Sequence, residues 1–342
     1  MGTPTAPRGS ADPLDTRYDV ALLDLDGTVY LGGAAIPGAA EALRKAGAAG
    51  MRLAYVTNNA YRTPAAIAEL LTSFGAPASP DDVVTSAQAA ARLLAERLPA
   101  SAPVLVIGGT GLRMAVRERG LRPVTTAADR PQAVVQGYSP DVNYTMLAEG
   151  GLAVAAGALF VASNGDATLP SRRGRQPGNG SLTQVIATAT GVRPLVAGKP
   201  EPPLHNESVL RTGAKRPLVV GDRLDTDIEA AYRVGVDSLL VLTGVTRPVE
   251  AVLAPPPHRP TYLAEDLAGL LEAHPDVTSQ DGAFSCGGWT ARLAGDRLEL
   301  AGGGERIDGL RALCAAAWAS GGGGSITAES ARSATQRLAD AR

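Results

Sequence analysis

The feature that most constrains this chain is a set of short, almost wholly apolar runs that each stop at a polar, glycine-containing cluster. Val20-Ala-Leu-Leu-Asp-Leu25 ends in acidic residues and Gly27. Arg52-Leu-Ala-Tyr-Val56 runs into Thr57-Asn58-Asn59, and Pro194-Leu-Val-Ala197 into Gly198-Lys199-Pro200. Pro217-Leu-Val-Val220 leads into Gly221-Asp222, and Ser238-Leu-Leu-Val-Leu242 into Thr243-Gly244. Runs of this length without alternation suit strands buried on both faces of a parallel sheet. Helix patterns lie between them, over 37–49, 64–74 and 226–234, stopped by Gly50, Gly75 and Gly235. The alternation predicts βαβ units, and so an α/β fold with a doubly wound, Rossmann-like parallel sheet covered by helices on both faces. Ligands in such sheets bind beyond the carboxyl ends of the strands, where the polar clusters fall.

The middle of the chain reads as a second α/β unit inserted into the first. Strands are expected over 104–107, 133–136 and 159–162, helices over 111–119, 143–156 and 181–190. A long polar loop over 163–180 carries Arg172, Arg173 and Arg175, which could meet an anionic leaving group or simply be solvated. After Pro275 the character changes to a hairpin, Trp289 to Leu293 and Arg297 to Leu300 around Gly295-Asp296. An alanine-rich helix over 307–319 and a helix over 328–338 follow. Glycines 321–324 between them suit a flexible linker better than a pyrophosphate loop, because no Gly-x-Gly spacing sits between a clear strand and helix. The expected organisation is a disordered tail over 1–17, a core over 18–77 and 194–272, an inserted domain over 78–193, and a small separate α+β module over 276–342.

Composition removes several classes of function. Lys+Arg 32 against Asp+Glu 34 leaves a net charge of −2, with no excess to attract nucleic acid or an anionic membrane. Aromatics at 4% supply no stacking surface for single strands. The two cysteines, Cys286 and Cys314, lie far apart without companion ligands, which argues against a zinc site or a disulfide scaffold. The first 17 residues lack the apolar stretch of a signal peptide, and no run approaches the ~18 residues of a membrane span, so a cytoplasmic location is expected.

Four clusters could carry chemistry. In Asp24-Leu25-Asp26-Gly27-Thr28 the two carboxylates project the same way from an extended segment. Such a pair makes sense if a divalent cation offsets the repulsion and one carboxylate acts on substrate. An Asp can take a phosphoryl group, and a second carboxylate can protonate the leaving alcohol and then activate water. Thr28 could bond the acid/base or the phosphate; the alternative for the whole stretch is an acidic turn. Thr57-Asn58-Asn59 offers a hydroxyl and backbone N–H groups to a phosphate, or a helix cap. Lys199 is one of only three lysines in an arginine-rich chain. Its ammonium could neutralise a carboxylate and a phosphate together, or be a surface charge. Asp222, Asp225 and Asp227 suit a hard cation such as Mg²⁺, although the last two could cap the next helix.

Taken in order, these clusters resemble the four motifs of the haloacid dehalogenase-like hydrolase superfamily. The insertion resembles its C2-type cap, and the Thr-Asn-Asn and Gly-Asp-Arg-x-x-Thr-Asp forms resemble the subgroup of phosphoglycolate and 4-nitrophenyl phosphatases, subfamily IIA. The resemblance implies Asp24 as nucleophile and metal ligand, and Asp26 as general acid/base that also binds the metal through its backbone carbonyl. It implies Thr57, Asn58 and Asn59 for phosphate binding, with Lys199 both catalytic and phosphate-binding. Asp222 would be a metal ligand, Thr28 and Asp227 would support the site from behind, and Mg²⁺ would be the cofactor. In the inserted domain, Asn164-Gly-Asp166 and Pro177-Gly-Asn-Gly180 match similar subgroup segments. With its C-terminal module the chain is similar to actinobacterial glycerol-3-phosphate phosphatases that carry an acetyltransferase-like appendage. The implied partner is a small-molecule phosphate ester, glycerol 3-phosphate first. Phosphoglycolate, a nucleotide monophosphate and 4-nitrophenyl phosphate are alternatives, and a phosphomutase ranks below them. A catalytically silent regulator that binds phosphometabolites is the reading from a different class. A homo-oligomer would pair through the cap or the C-terminal module.

Overall fold

The computed structural model describes residues 4–169, 173–319 and 326–340. Glycines 321–324 and Arg172 lie outside the described residues. The chain divides into two compact units, Met1–Leu53 with Ala214–Arg342, and Ala54–Gly213.

The first unit is built on a parallel sheet in the order Tyr262–Ala264, Asp237–Val241, Pro217–Gly221, Val20–Leu23. All four residues of Val20–Leu23 are buried, as a strand covered on both faces requires. It pairs in parallel with Pro217–Gly221, Val20 opposite Pro217 and Leu23 opposite Val220. The last sheet strand, Tyr262–Ala264, is absent from the sequence expectation because it is only three residues long.

Two features of this unit bear on the expected organisation. The tail is ordered from residue 4 onwards: Arg8 N donates to Thr261 O at 2.8 Å, Ser10 and His274 exchange backbone bonds at 2.8 Å, and Leu14 is fully buried. The polar composition of 1–17 concealed these backbone pairings. The C-terminal module shares an apolar core with the parallel-sheet layer. Its antiparallel sheet, in the order Thr278–Gln280, Ala283–Cys286, Trp289–Ala294, Arg297–Gly302, contains the expected hairpin and two further strands. The helices Arg306–Ala319 and Ala328–Asp340 pack on it. One apolar cluster joins Leu310, Leu313, Ala317 and Trp318 to Ile228, Leu240, Val252 and Leu263 of the parallel-sheet layer. Trp318 Nε1 donates to Ala251 O at 3.2 Å, and Arg311 Nη2 to Leu263 O at 2.6 Å.

In the second unit, Arg52–Thr57 pairs in parallel with Val83–Thr85, residues that fall in the span expected for the inserted domain and that were not expected as a strand. A five-stranded parallel sheet follows, in the order Leu195–Val196, Leu159–Ala162, Ala133–Gln136, Pro103–Ile107, Arg122–Val124. The chain winds outward from Pro103–Ile107 to Arg122–Val124 and then back past its start, the doubly wound pattern. The strand before Lys199 was expected in the same sheet as the other motif strands. It instead closes the edge of this second sheet against Leu159–Ala162. A continuous apolar run has no period that reveals which sheet it joins. The long polar loop folds back on itself through Thr168–Leu169 and Gln176–Pro177, and Arg173 and Arg175 are exposed.

Helices Ser86–Ala95, Thr110–Glu118 and Pro202–Thr212 are tied through Glu207. Its fully buried carboxylate accepts from Arg92, from Arg119 at 2.7 Å and from Arg211 at 2.6 Å. Burial alone would raise its pKa; the guanidinium groups outweigh burial and hold it below the ordinary glutamate value. A depressed folded pKa stabilises above the unfolded pKa of about 4.3, and that stability is lost as pH falls through the folded value. Glu207→Gln is expected to cost about 3–5 kcal/mol at neutral pH. The gap from the parent protein should close below about pH 4. Urea unfolding across pH checks this, and a gap constant with pH would contradict it. Trp318→Ala should cost about 3–5 kcal/mol. It should also speed amide exchange at Leu239–Val241 together with the C-terminal sheet, where a separate module would leave those amides unchanged.

Candidate active site

The acidic half of the site grows from two neighbouring strand ends. Asp24 N donates to Val220 O at 2.8 Å, so the chain leaves the sheet one residue beyond the paired register, beside Gly221-Asp222. Asp222 and Asp227 are fully buried and Asp24 is half-buried. One carboxylate oxygen from each lies within 4.8 Å of the others, a spacing that suits one cation with oxygen ligands.

Small residues create the room. Gly27 has φ +94°, and a Cβ there would overlap the Asp222 carboxylate. A Cβ on Gly244 would overlap the same carboxylate, and one on Gly221 would overlap that of Asp227. Val245 N donates to Asp222 Oδ2 at 2.6 Å, and Thr243 Oγ1 donates to Gly27 O at 2.5 Å. The sequence reading gave Thr243 and Gly244 no role; their position directly after an apolar run was the available signal.

Asp227 reaches the cluster through a wide turn, Leu224–Ile228, in which Ile228 N donates to Arg223 O at 3.2 Å, five residues back. The turn settles the choice among the acidic residues of this stretch. Asp225 pairs with Arg223 at 2.8 and 3.0 Å and is turned out of the cluster. Burial would raise its pKa, and Arg223 outweighs it and holds it low. Asp227 also accepts from Arg223 N at 3.2 Å, so it closes the turn and joins the cluster together.

Asp26 begins a tight hairpin, with Gly27 N donating to Tyr30 O at 2.7 Å and Tyr30–Leu31 pairing with Ala34–Ala35. Desolvation holds its carboxyl above the ordinary aspartate range, against the backbone N–H of Gly32 and the charge of Arg223. A shift in that direction favours the role of an acid. Thr28 Oγ1 is buried and, among the described residues, has no hydrogen-bond partner, so the expected bond to Asp26 is not formed.

The second unit holds the remaining candidates. Thr57 closes its strand, and its Oγ1 accepts from Asn59 N at 3.1 Å, leaving the hydroxyl proton to be given elsewhere. Asn59 Oδ1 accepts from Tyr61 N at 3.0 Å and Arg62 N at 2.9 Å, so the exposed Asn59 builds the turn. Lys199 is buried, and its Nζ donates to Val56 O at 3.2 Å. Asn58 Oδ1 accepts from Lys199 N at 2.8 Å. Asn164 Nδ2 and Ser86 Oγ both donate to Asn58 O, at 2.8 and 2.7 Å. Ser86, which opens the helix after Val83–Thr85, escaped the sequence reading because a helix-start serine is commonplace.

Gly244→Ala should weaken divalent-cation binding about tenfold or more by displacing Asp222. Mg²⁺ titration calorimetry on the folded variant measures this, and an unchanged affinity would contradict the assignment of Asp222 to the cation.

Comparison with known proteins agrees with this geometry. Residues 21–122 match the model of haloacid dehalogenase-like hydrolases, residues 196–270 a second HAD-like hydrolase model, and residues 286–341 a GCN5-related N-acetyltransferase-like domain. The chain is 50% identical over 254 residues to D-glycerol 3-phosphate phosphatase of Mycobacterium tuberculosis, covering 74% of this chain and 71% of that one. It is 42% identical to the 5′-nucleotidase YutF of Bacillus subtilis, covering 67% of this chain and 89% of the relative. The crystal structure of glycerol phosphate phosphatase from M. tuberculosis in complex with magnesium superimposes with a TM-score of 0.86 at 42% identity, covering 96% of this chain and 99% of that one. Motif order, strand-end geometry and these relationships agree, and the chain belongs to the haloacid dehalogenase-like hydrolases.

Proposed function

We propose that this protein is a Mg²⁺-dependent phosphomonoester phosphatase acting through an aspartyl-phosphate, with glycerol 3-phosphate as substrate. The observation that carries it is the cluster of half-buried Asp24 with buried Asp222 and Asp227, in a chain 50% identical to a D-glycerol 3-phosphate phosphatase. The donors are all hard carboxylate oxygens, in space that glycines keep open, and they fit Mg²⁺. Asp24 and Asp222 would hold the ion, with the backbone carbonyl of Asp26 and with Asp227 behind or beside them. Bound there, it would offset the charge of carboxylates and phosphate.

The remaining steps belong to the chain. An Asp24 carboxylate oxygen attacks phosphorus as the bond from phosphorus to the substrate alcohol breaks, and Asp26 gives its proton to that alcohol. Asp26 then takes a proton from water, which attacks the phosphorus. The bond to Asp24 breaks, releasing inorganic phosphate and restoring the nucleophile. Thr57 Oγ1, the N–H of Asn58 and the Lys199 ammonium would hold the phosphate, on a loop shaped by Asn59. Segment 78–193 would act as the C2-type cap that selects the alcohol, and subunits would pair through it or through module 276–342. Among the described residues no helix is long and apolar enough to cross a membrane. A cytoplasmic setting would keep Cys286 and Cys314 reduced.

The test is phosphate release from glycerol 3-phosphate, phosphoglycolate, nucleotide monophosphates and 4-nitrophenyl phosphate, with Mg²⁺ or chelator, beside Asp24→Asn. Glycerol 3-phosphate should show the highest kcat/KM, and activity should vanish with chelator and in the variant. A nucleotide in first place would move the assignment toward the 5′-nucleotidase relative. Release that survives Asp24→Asn would overturn the aspartyl-phosphate route.

A further inference from the structure

The side chain of Asn58 makes more connections than a loop residue needs. Its Oδ1 accepts from Lys199 N at 2.8 Å while its Nδ2 donates to Lys199 O at 3.2 Å, so one amide grips both sides of one residue's main chain. The same Nδ2 faces both carboxylate oxygens of Asp166, at 3.2 and 3.3 Å. Gly198 makes the approach possible, since a Cβ there would lie 2.5 Å from Asn58 Oδ1 and 2.7 Å from Ser163 O. The far end of Lys199 is held too, Nζ donating to Val56 O at 3.2 Å. Both ends of the lysine are thus referred to the same three residues, 56–58, with Thr57 in the middle.

The chemistry explains why an asparagine stands here. The grip needs an acceptor and a donor on one uncharged group, and the carboxylate of Asp166 can only accept. Asp166 therefore decides which end of the amide is nitrogen and leaves Oδ1 for the Lys199 N–H. Asp166 is itself placed by its neighbour, since its N donates to Asn164 Oδ1 at 3.2 Å, and Asn164 Nδ2 returns to Asn58 O.

We infer that Asn58 and Asp166 are a positioning pair for Lys199: Asp166 orients the Asn58 amide, and the amide fixes the lysine main chain so that its ammonium is carried to the Thr57 loop. What the ammonium does there rests on the phosphatase reading; the positioning itself rests on the contacts above. The Asn58 side chain touches Lys199 and Asp166 acts through that amide, so loss of either side chain should act through the lysine while the Asn58 N–H is kept.

The test is a charge swap. Asn58→Asp keeps the main-chain N–H but sets a second carboxylate against Asp166 and removes the donor. It should lower kcat about 10- to 100-fold, and it should weaken binding of inorganic phosphate in the presence of Mg²⁺. Asp166→Asn alone should cost less, because the Oδ1 contact to Lys199 survives. In the double variant the new amide at 166 can donate to the new carboxylate at 58, and about tenfold of the lost kcat should return. Steady-state kinetics, phosphate calorimetry and thermal unfolding are read on all four proteins. Losses that multiply without rescue, or kcat and phosphate affinity within twofold of the parent, would overturn the inference while leaving the phosphatase intact. A fall in thermal stability alone, with kcat and phosphate affinity of the folded protein unchanged, would make the pair merely structural and overturn it as well. A parent protein that neither hydrolyses the panel nor binds phosphate would sink the phosphatase reading and the inference with it.

Discussion

The first unit depends on a confrontation between like charges. Asp24, Asp222 and Asp227 are brought within 4.8 Å by two adjacent parallel strands and one wide turn, and two of the three are fully buried. Desolvation and mutual repulsion both oppose charge in carboxylates so placed, and the cluster calls for compensation. The surroundings are arranged to tolerate this. Gly27, Gly221 and Gly244 give up side chains so that the carboxylates have room, and backbone N–H groups from Arg223 and Val245 point at the acids. A divalent cation held among them would complete the balance, and the same concentrated charge is what would make Asp24 useful as a nucleophile.

The second unit solves a different problem, holding polar loop ends still without burying unpaired groups. Its device is close backbone approach. Gly111 N donates to Tyr61 O at 3.0 Å, and a Cβ on Gly109 or Gly111 would overlap Tyr61 or Arg62. The glycines after Pro103–Ile107 thus receive the chain's own 60–62 segment at the carboxyl edge of the doubly wound sheet, the place where such sheets commonly take ligands. With Asn58 pairing to Lys199, Asp166 and Asn164, the Thr57 loop belongs mechanically to this unit.

The C-terminal module contributes to the core of the first unit. Its helix Arg306–Ala319 is buried along most of its length, with Trp318 and Leu310 against the parallel-sheet layer. A helix apolar on so many sides must be covered on more than one face. It also brings in a buried Arg311, paired with Asp308 and with His274 Nδ1 at 3.0 Å. Burial lowers the pKa of His274, and because a guanidinium can only donate, Nδ1 is the acceptor in this contact. The module thereby becomes part of the first unit's interior.

Much of this was legible in the linear chain. The apolar runs, their polar endings and the intervening helix patterns specify a parallel α/β architecture, because a strand buried on both faces leaves a continuous hydrophobic signature. Asp24, Asp26, Thr57, Lys199 and Asp222 could be singled out because catalytic residue types sit at strand ends in a fixed order. Tertiary structure decided what has no local signature. Which sheet Leu195–Val196 joins depends on partners far away in sequence. That Asp227 enters the acidic cluster and Asp225 leaves it depends on a turn geometry and on Arg223. That Asn59 builds a turn while Asn58 grips Lys199 depends on donors and acceptors up to 141 residues apart. Order within the tail and the merging of the C-terminal module into one core follow the same rule: local periodicity reports which surfaces must be buried, and only the folded chain determines against what.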